Sequence, residues 1–361
     1  MKAEIVRDKK GRRDFLRFRK ELYRRDGLYV DNNYFMLKEI FSGKLHFTEN
    51  MEIYPINIID GGKTVCQGVA AYTKELPEYI QLCFFESLPG MQSAAELLVS
   101  ETAELGRKLG CKRIVIGLSG HVNYGLGFLD SHYDEKNSFS SPGNPVYYND
   151  YFRSMGCEEI KLNSYFTHSL DSRLSRYRSL LAKLDRNYEF RFFDKKEFGK
   201  YSEIYTDLNN ACFTGHRYYY RRQYEDDAEM LKTLFLFMKE DSLIFAFKDG
   251  NPVGFIMWYP DYNELAERGE IFGTKHFFRN ILRGNRIKTA KVMEYGVIEE
   301  YRGSGLPLAL ISKVYDRLKN YGCQQVETSW ILDENTDSNS FCRELCDESY
   351  KGYVVYEKEI G

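Results

Sequence analysis

Met293-Glu294-Tyr295-Gly296-Val297-Ile298-Glu299-Glu300-Tyr301-Arg302-Gly303-Ser304-Gly305-Leu306-Pro307-Leu308-Ala309-Leu310 reads as a strand, a tight turn and a helix. Val292, Val297 and Ile298 suit a strand. Gly303 and Gly305 let the backbone turn and approach a ligand with no Cβ in the way. From Leu306 onward, Leu308, Ala309, Leu310, Ile311 and Val314 recur at helical spacing. The first turn of that helix offers unpaired N–H groups and the positive end of a dipole, an anion site that fits a pyrophosphate.

Working outward, Gln325 to Ile331 reads as a strand, Asn335 to Leu345 as a helix and Tyr350 to Glu357 as a last strand. Upstream, Leu243–Lys248 and Val253–Trp258 flank Asp249-Gly250-Asn251, a hairpin signal. An insertion from Asp261 to Thr289 follows that hairpin. Before it come helices at Arg173–Leu184, Lys195–Phe213 and Glu225–Met238, with a strand at Tyr188–Phe193. The first half has a helix at Arg13–Arg25, a hairpin around Asp60-Gly61-Gly62-Lys63, and a strand at Tyr79–Phe85. A helix at Ser93–Leu109 and a strand at Arg113–Ile116 come next. The polar, glycine-rich segment 117–145 is long for a loop, which points to a functional or disordered stretch. A short helix at Tyr147–Met155 and a strand at Tyr165–Leu170 close this half.

The chain's 361 residues favour two domains, and 43% hydrophobic content suffices for two cores. A net charge of -2 gives no reason to expect nucleic acid. The eight cysteines form no CxxC pair, and Cys342/Cys346 has no partners at zinc spacing, so no metal site is expected. Free thiols of a reducing cytoplasm are the expected state. No apolar run is long enough to span a membrane, and no signal peptide is read at the start.

The turn Arg302-Gly303-Ser304-Gly305-Leu306, set between strand and helix, resembles the pyrophosphate motif of the GNAT superfamily of N-acyltransferases. The last motif position, commonly Gly or Ala, is Pro307, which removes one N–H donor yet suits a first helical turn. The element order of the second half is similar to the full GNAT order, and the first half repeats part of it. The resemblance implies an α/β (α+β) protein of two GNAT-like domains, each a central mixed, mostly antiparallel sheet flanked by helices. Residues 1–170 would be a degenerate unit and 171–361 an acyltransferase domain with the insertion 261–289. In the first unit Glu86-Ser87-Leu88-Pro89-Gly90-Met91 replaces the phosphate turn, with Glu86 where an anion would sit. Further stretches resemble a bacterial group of tandem GNAT-like proteins. They are Phe15-Leu16 through Leu22-Tyr23, Asp26-Gly27-Leu28-Tyr29-Val30, Asn144-Pro145-Val146-Tyr147-Tyr148, Pro260-Asp261-Tyr262-Asn263, Trp330-Ile331-Leu332-Asp333-Glu334-Asn335 and Tyr353-Val354-Val355-Tyr356-Glu357-Lys358.

This resemblance implies transfer of an acyl group from acetyl-CoA or a longer acyl-CoA to the amine of a small molecule or amino acid. The pyrophosphate would lie on the N–H groups of Gly303, Ser304, Gly305 and Leu306, with Arg302 adding charge. The N–H near Val297 would polarise the thioester, and Asn335 would touch the cofactor as well as cap its helix. Acylation needs a neutral amine, and Glu294 on the organising strand is the candidate base, against a plainer reading as a paired or solvated strand carboxylate. Counting from Asn335, the position of the superfamily's thiolate-protonating tyrosine falls on Cys342, for which core packing is the plainer role. His216, Tyr219 and Arg222 lie where the acceptor site would form. In the insertion Lys275, Arg279 and Arg283 recur every fourth residue, beside Phe277, Phe278, Ile281 and Leu282. That segment is an exposed basic face, or a lid for an acyl carrier protein, coenzyme A's ribose phosphate or an anionic membrane. Transfer from aminoacyl-tRNA, and a non-catalytic protein with a vestigial site, are the competing readings.

Overall fold

The computed structural model describes residues 1–361 except Gly27 and Leu28, so those two members of the stretch Asp26 to Val30 lie outside the described residues. The first half runs β1 (Lys2–Ile5), α1 (Lys9–Asp26), α2 (Tyr34–Ser42), β2 (Met51–Asp60), β3 (Lys63–Thr73), β4 (Tyr79–Ser87), α3 (Gln92–Leu109), β5 (Arg113–Ile116), β6 (Phe128–Leu129), α4 (Val146–Ser154) and β7 (Glu158–Thr167). Next come α5 (Leu170–Ser175), α6 (Arg178–Asn187), β8 (Glu189–Phe192), α7 (Phe198–Cys212), α8 (Tyr224–Leu234), β9 (Leu243–Lys248) and β10 (Asn251–Pro260). The chain ends with α9 (Thr274–Arg283), β11 (Thr289–Val297), α10 (Leu306–Tyr321), β12 (Gln325–Thr328), β13 (Ile331–Leu332), α11 (Thr336–Leu345) and β14 (Glu348–Glu359). Both halves are mixed sheets with helices against them, the α/β class that the resemblance implies.

Two compact units result, and their bounds are not a single cut at residue 170. Unit 1 comprises 1–162, 266–273 and 351–361; unit 2 comprises 163–265 and 274–350. The reason is strand pairing, which sequence proximity does not dictate. The C-terminal strand lies on β5, Tyr356 facing Ile116 and Glu359 facing Arg113, and so completes the sheet of unit 1. Residues Phe166 and Thr167 face Glu327 and Val326 of β12 and complete the sheet of unit 2. Within the insertion, residues 266–273 bond to unit 1: Gly269 N–H donates to Tyr29 O, and Phe272 N–H to Asp31 O, both at 2.9 Å.

In unit 1, β1 to β4 are antiparallel neighbours, and β4 pairs β5 in parallel. Ala94, Ala95, Leu98, Val99 and Ala103 of α3 pack on Ile80, Leu82, Ile114 and Ile116. Gly106 belongs there because a Cβ would come within 2.6 Å of Ile80 and Ile360 side chains. The long segment 117–145 is an ordered packed loop. Asn137 accepts from Val30 N–H at 2.8 Å, and Asn144 binds both Leu129 N–H and Leu129 O.

In unit 2, β8, β9, β10 and β11 are antiparallel neighbours and β11 pairs β12 in parallel. The apolar face of α10 (Leu306, Ala309, Leu310, Val314, Leu318) packs on Ile244, Ala246, Ile256 and Val292. The linking helix breaks into α5 and α6 rather than running unbroken from Arg173 to Leu184.

Candidate functional site

The β11–β12 ladder runs from Thr289/Gln325 to Val292/Thr328, and Ser329 N–H still reaches Val292 O at 2.8 Å. Beyond that point, among the described residues, 293–297 keep only β10 as a ladder partner, so the two parallel strands separate. Opposite β10 a bulge at Met257/Trp258 leaves Met293 without a register partner. A bulge adds a residue and bends its strand, which re-aims the side chains after it. Glu294 is the first of those.

The Glu294 carboxylate accepts a hydrogen bond from the Tyr205 hydroxyl of α7. Protein surrounds it, on a residue that is half-buried as a whole. Burial raises its pKa to about 7, opposed by the Tyr205 bond, with nearby Asp227 raising it further. Hydrogen bonding from Asn209 and the positive Arg222 pull the other way. Tyr205 and Asn209 are one helical turn apart on α7 and share a face. These two were missed in the sequence. The signal was present as Tyr205 and Asn209 at i and i+4 on a helix side that also buries Ser202, Thr206 and Asn210, but it needs β11 opposite to acquire meaning.

At the turn, Tyr301 N–H bonds to Ile298 O, Arg302 N–H to Glu299 O and Ser304 N–H to Tyr301 O at 3.3 Å. Leu306 N–H meets Ser304 Oγ at 3.3 Å. Gly303 and Gly305 N–H make no hydrogen bond among the described residues. Both glycines have left-handed backbone, φ +73° and +84°, and a Cβ on Gly303 would meet nothing within 4 Å. The amide row is therefore half open: two donors are unengaged, two weakly engaged, and Pro307 has none. Arg302 folds back, its guanidinium on Val297 O at 3.4 Å and Cys212 O at 3.2 Å, and it is exposed. Glu299 and Glu300 are exposed, as expected of carboxylates beside an anion site. Val297 is buried and faces Gly254 across the ladder. This turn offers an anion free N–H donors and an adjacent guanidinium, with open space at Gly303 and with Leu184 and Leu180 of α6 close to Gly305.

Other expected site residues sit differently. Asn335 is exposed and caps α11, accepting from Ser338 N–H at 3.1 Å. Cys342 is buried with Tyr165, Cys346 and Phe341, and burial pushes its thiol pKa well up, as it does that of the Tyr295 phenol. The phenol beside the strand separation is instead Tyr295, on the opposite sheet face from Glu294. It donates to Ser338 Oγ at 3.0 Å, and burial keeps it protonated. Arg222 is consumed by a buried ion pair to Asp227 at 2.5 Å, and Tyr219 OH donates to Asn210 Oδ1 at 2.8 Å. His216 is half-buried, and burial lowers its pKa to about 4, so it is neutral near pH 7.

Residues 202–346 match the acetyltransferase (GNAT) family. The second unit is a GNAT domain. The whole chain superposes on a tandem GNAT protein from the clavulanic acid biosynthesis pathway, with TM-score 0.57, 14% identity, and 100% and 99% of the two chains covered. The fold of this chain is thus tandem-GNAT-like over its full length. Protein YghO of Escherichia coli is 25% identical over 262 residues, 70% of this chain and 67% of that protein. A bacterial ceramide synthase of Caulobacter vibrioides is 24% identical over 176 residues, 46% of this chain and 45% of that protein. The GNAT fold supports acyl transfer as the general activity. Among the described residues no cluster of His, Cys, Asp and Glu could hold a metal ion, and no helix is long and apolar enough to cross a membrane.

Proposed function

We propose that the GNAT domain is an acyl-CoA-dependent N-acyltransferase. The observation that carries this is Glu294: a carboxyl with pKa near 7, on a half-buried residue of the strand that leads into the Gly303–Gly305 turn. Bound acyl-CoA supplies the thioester whose carbonyl carbon is the electrophile. The amides of Gly303 and Gly305, with Ser304 and Leu306 after small rotations, hold the pyrophosphate, and Arg302 screens its charge. The N–H groups at the end of β11, near Val297, are the donors for the thioester carbonyl oxygen.

An amine acceptor arrives as an ammonium ion. Glu294 accepts its proton directly or through one water, while Tyr205 fixes the orientation of the carboxylate. The pKa near 7 makes about half of Glu294 a base at neutral pH without making it too weak to accept a proton. Tyr295 takes the proton-donor role that the sequence count assigns to Cys342. Arg222, Asp227 and Tyr219 brace the α7–α8 junction behind Glu294, and His216 offers a neutral imidazole at the acceptor side. The open amides and the Glu294 carboxyl favour an active site over a vestigial one.

For the acceptor, the Caulobacter relative's name favours a long-chain amine over an amino acid. Calorimetry with acetyl-CoA and palmitoyl-CoA tests the donor, and thiol release on adding short amines, amino acids and sphingoid bases tests the acceptor. Absence of binding by both thioesters would sink the proposal.

A further inference from the structure

The helix α9 is turned inside out. A ten-residue helix packed on a water-soluble surface should bury its apolar stripe and expose its polar one. Here His276 is 1% exposed and Asn280 reaches inward to Phe237 O at 3.5 Å. Phe278, Ile281 and Leu282, spaced i, i+3, i+4 on one stripe, are instead 59%, 65% and 78% exposed. Leu236, 61% exposed, precedes Phe237, whose ring lies edge-on to that of Phe277 of α9 at 5.9 Å. Beside this ridge lie exposed basic residues, Lys275 and Arg283 on the helix, then Arg286 and Lys288, while Arg279 is half-buried and donates to Leu265 O at 3.0 Å. The side chains of Arg283, Arg286 and Lys288 have no carboxylate partner among the described residues, and no acid occurs from Lys275 to Met293.

We infer that α9 docks on an anionic phospholipid surface, its apolar ridge entering the acyl boundary and the exposed basic residues meeting the headgroup phosphates. A bilayer accepts a convex ridge with no matching groove, and basic residues beside apolar ones are the pattern of helices that lie in the interface plane. Partnering with an acidic protein would use the basic residues but would leave the ridge without a purpose. The inference is independent of the acyl-transfer reading, because its readout is binding to lipid.

The experiment is co-sedimentation of the full chain with vesicles of phosphatidylcholine containing phosphatidylglycerol, and with phosphatidylcholine alone. The expected result is binding to the anionic vesicles, reduced by 0.5 M salt on the order of tenfold. The triple variant Phe278→Ser/Ile281→Ser/Leu282→Ser should lower binding by about tenfold or more. Arg283→Glu/Arg286→Glu should abolish the preference for anionic lipid. Unchanged thermal melting of both variants shows that folding is retained, as expected for exposed positions. In Leu282→Trp, blue-shifted fluorescence on adding vesicles supports insertion of the ridge. No binding by the wild type, or binding indifferent to the triple variant, overturns the inference. So does a self-association in light scattering, or capture of purified acyl carrier protein, that the triple variant abolishes while vesicle binding is absent.

Discussion

In unit 1, β4 runs through Glu86 and Ser87, and α3 begins at Gln92. In unit 2, β11 ends at Val297 and α10 begins at Leu306. The first turn is plugged by protein. Arg19 of α1 binds Glu86 at 2.5 Å and Asp31 at 2.7 Å, and Tyr148 OH donates to Glu86 at 2.8 Å. All of Arg19, Asp31 and Glu86 are buried. The second turn carries unengaged amides and no internal anion. Burial raises both Glu86 and Glu294 to about 7. The difference is the partner: Glu86 is buried with its own cation, whereas Glu294, on a half-buried residue, has a neutral hydroxyl donor. A raised carboxyl pKa alone therefore does not separate a carboxyl with an internal cation from one without.

The largest effect that tests this contrast is on rate. Glu294→Gln should lower kcat by about 10²–10⁴ while leaving acyl-CoA affinity unchanged. In the wild type the rate should rise with pH through about 7 as the carboxylate forms, and that rise should vanish in the variant. Glu86→Gln should leave the rate profile alone.

Arg19→Ala should destabilise the chain by about 3–5 kcal/mol, read from urea melting, because it leaves two buried carboxyls without their cation. A related sign follows for Glu86 itself. Its folded pKa is raised, so the stability it contributes is complete below its unfolded value and is lost as pH rises through about 7. Glu86→Gln should flatten that part of the stability–pH curve.

Gly305→Ala places a Cβ on left-handed backbone, 3.4 Å from Leu184 Cδ1. Strain of about 1–2 kcal/mol should weaken acyl-CoA binding on the order of tenfold by calorimetry. Gly90→Ala, at φ +74° in the turn of unit 1, carries similar strain and should leave acyl-CoA binding unchanged. The smallest effect is Pro307→Ala. It restores one N–H to the turn and should tighten binding by roughly two- to fivefold.

The turn, the helix after it and both hairpins were legible from residues 293–310 and from the Asp-Gly signals, because glycine backbone freedom and apolar periodicity are local properties. Loss of the phosphate turn in unit 1 was legible too, since Glu86 stands in the chain where an anion would lie. That Arg19, 67 positions earlier, neutralises it was not. The same holds for Tyr205, 89 positions from Glu294.

The chain alone therefore determined the strand–turn–helix, the two-unit architecture and the amphipathic spacing of α9. Tertiary structure alone decided which strand closes which sheet, which way α9 faces, and that burial raises the pKa of both Glu294 and Cys342. Element type follows from neighbours a few residues apart. Pairing, burial and the pKa shifts that burial causes depend on groups that only folding brings together.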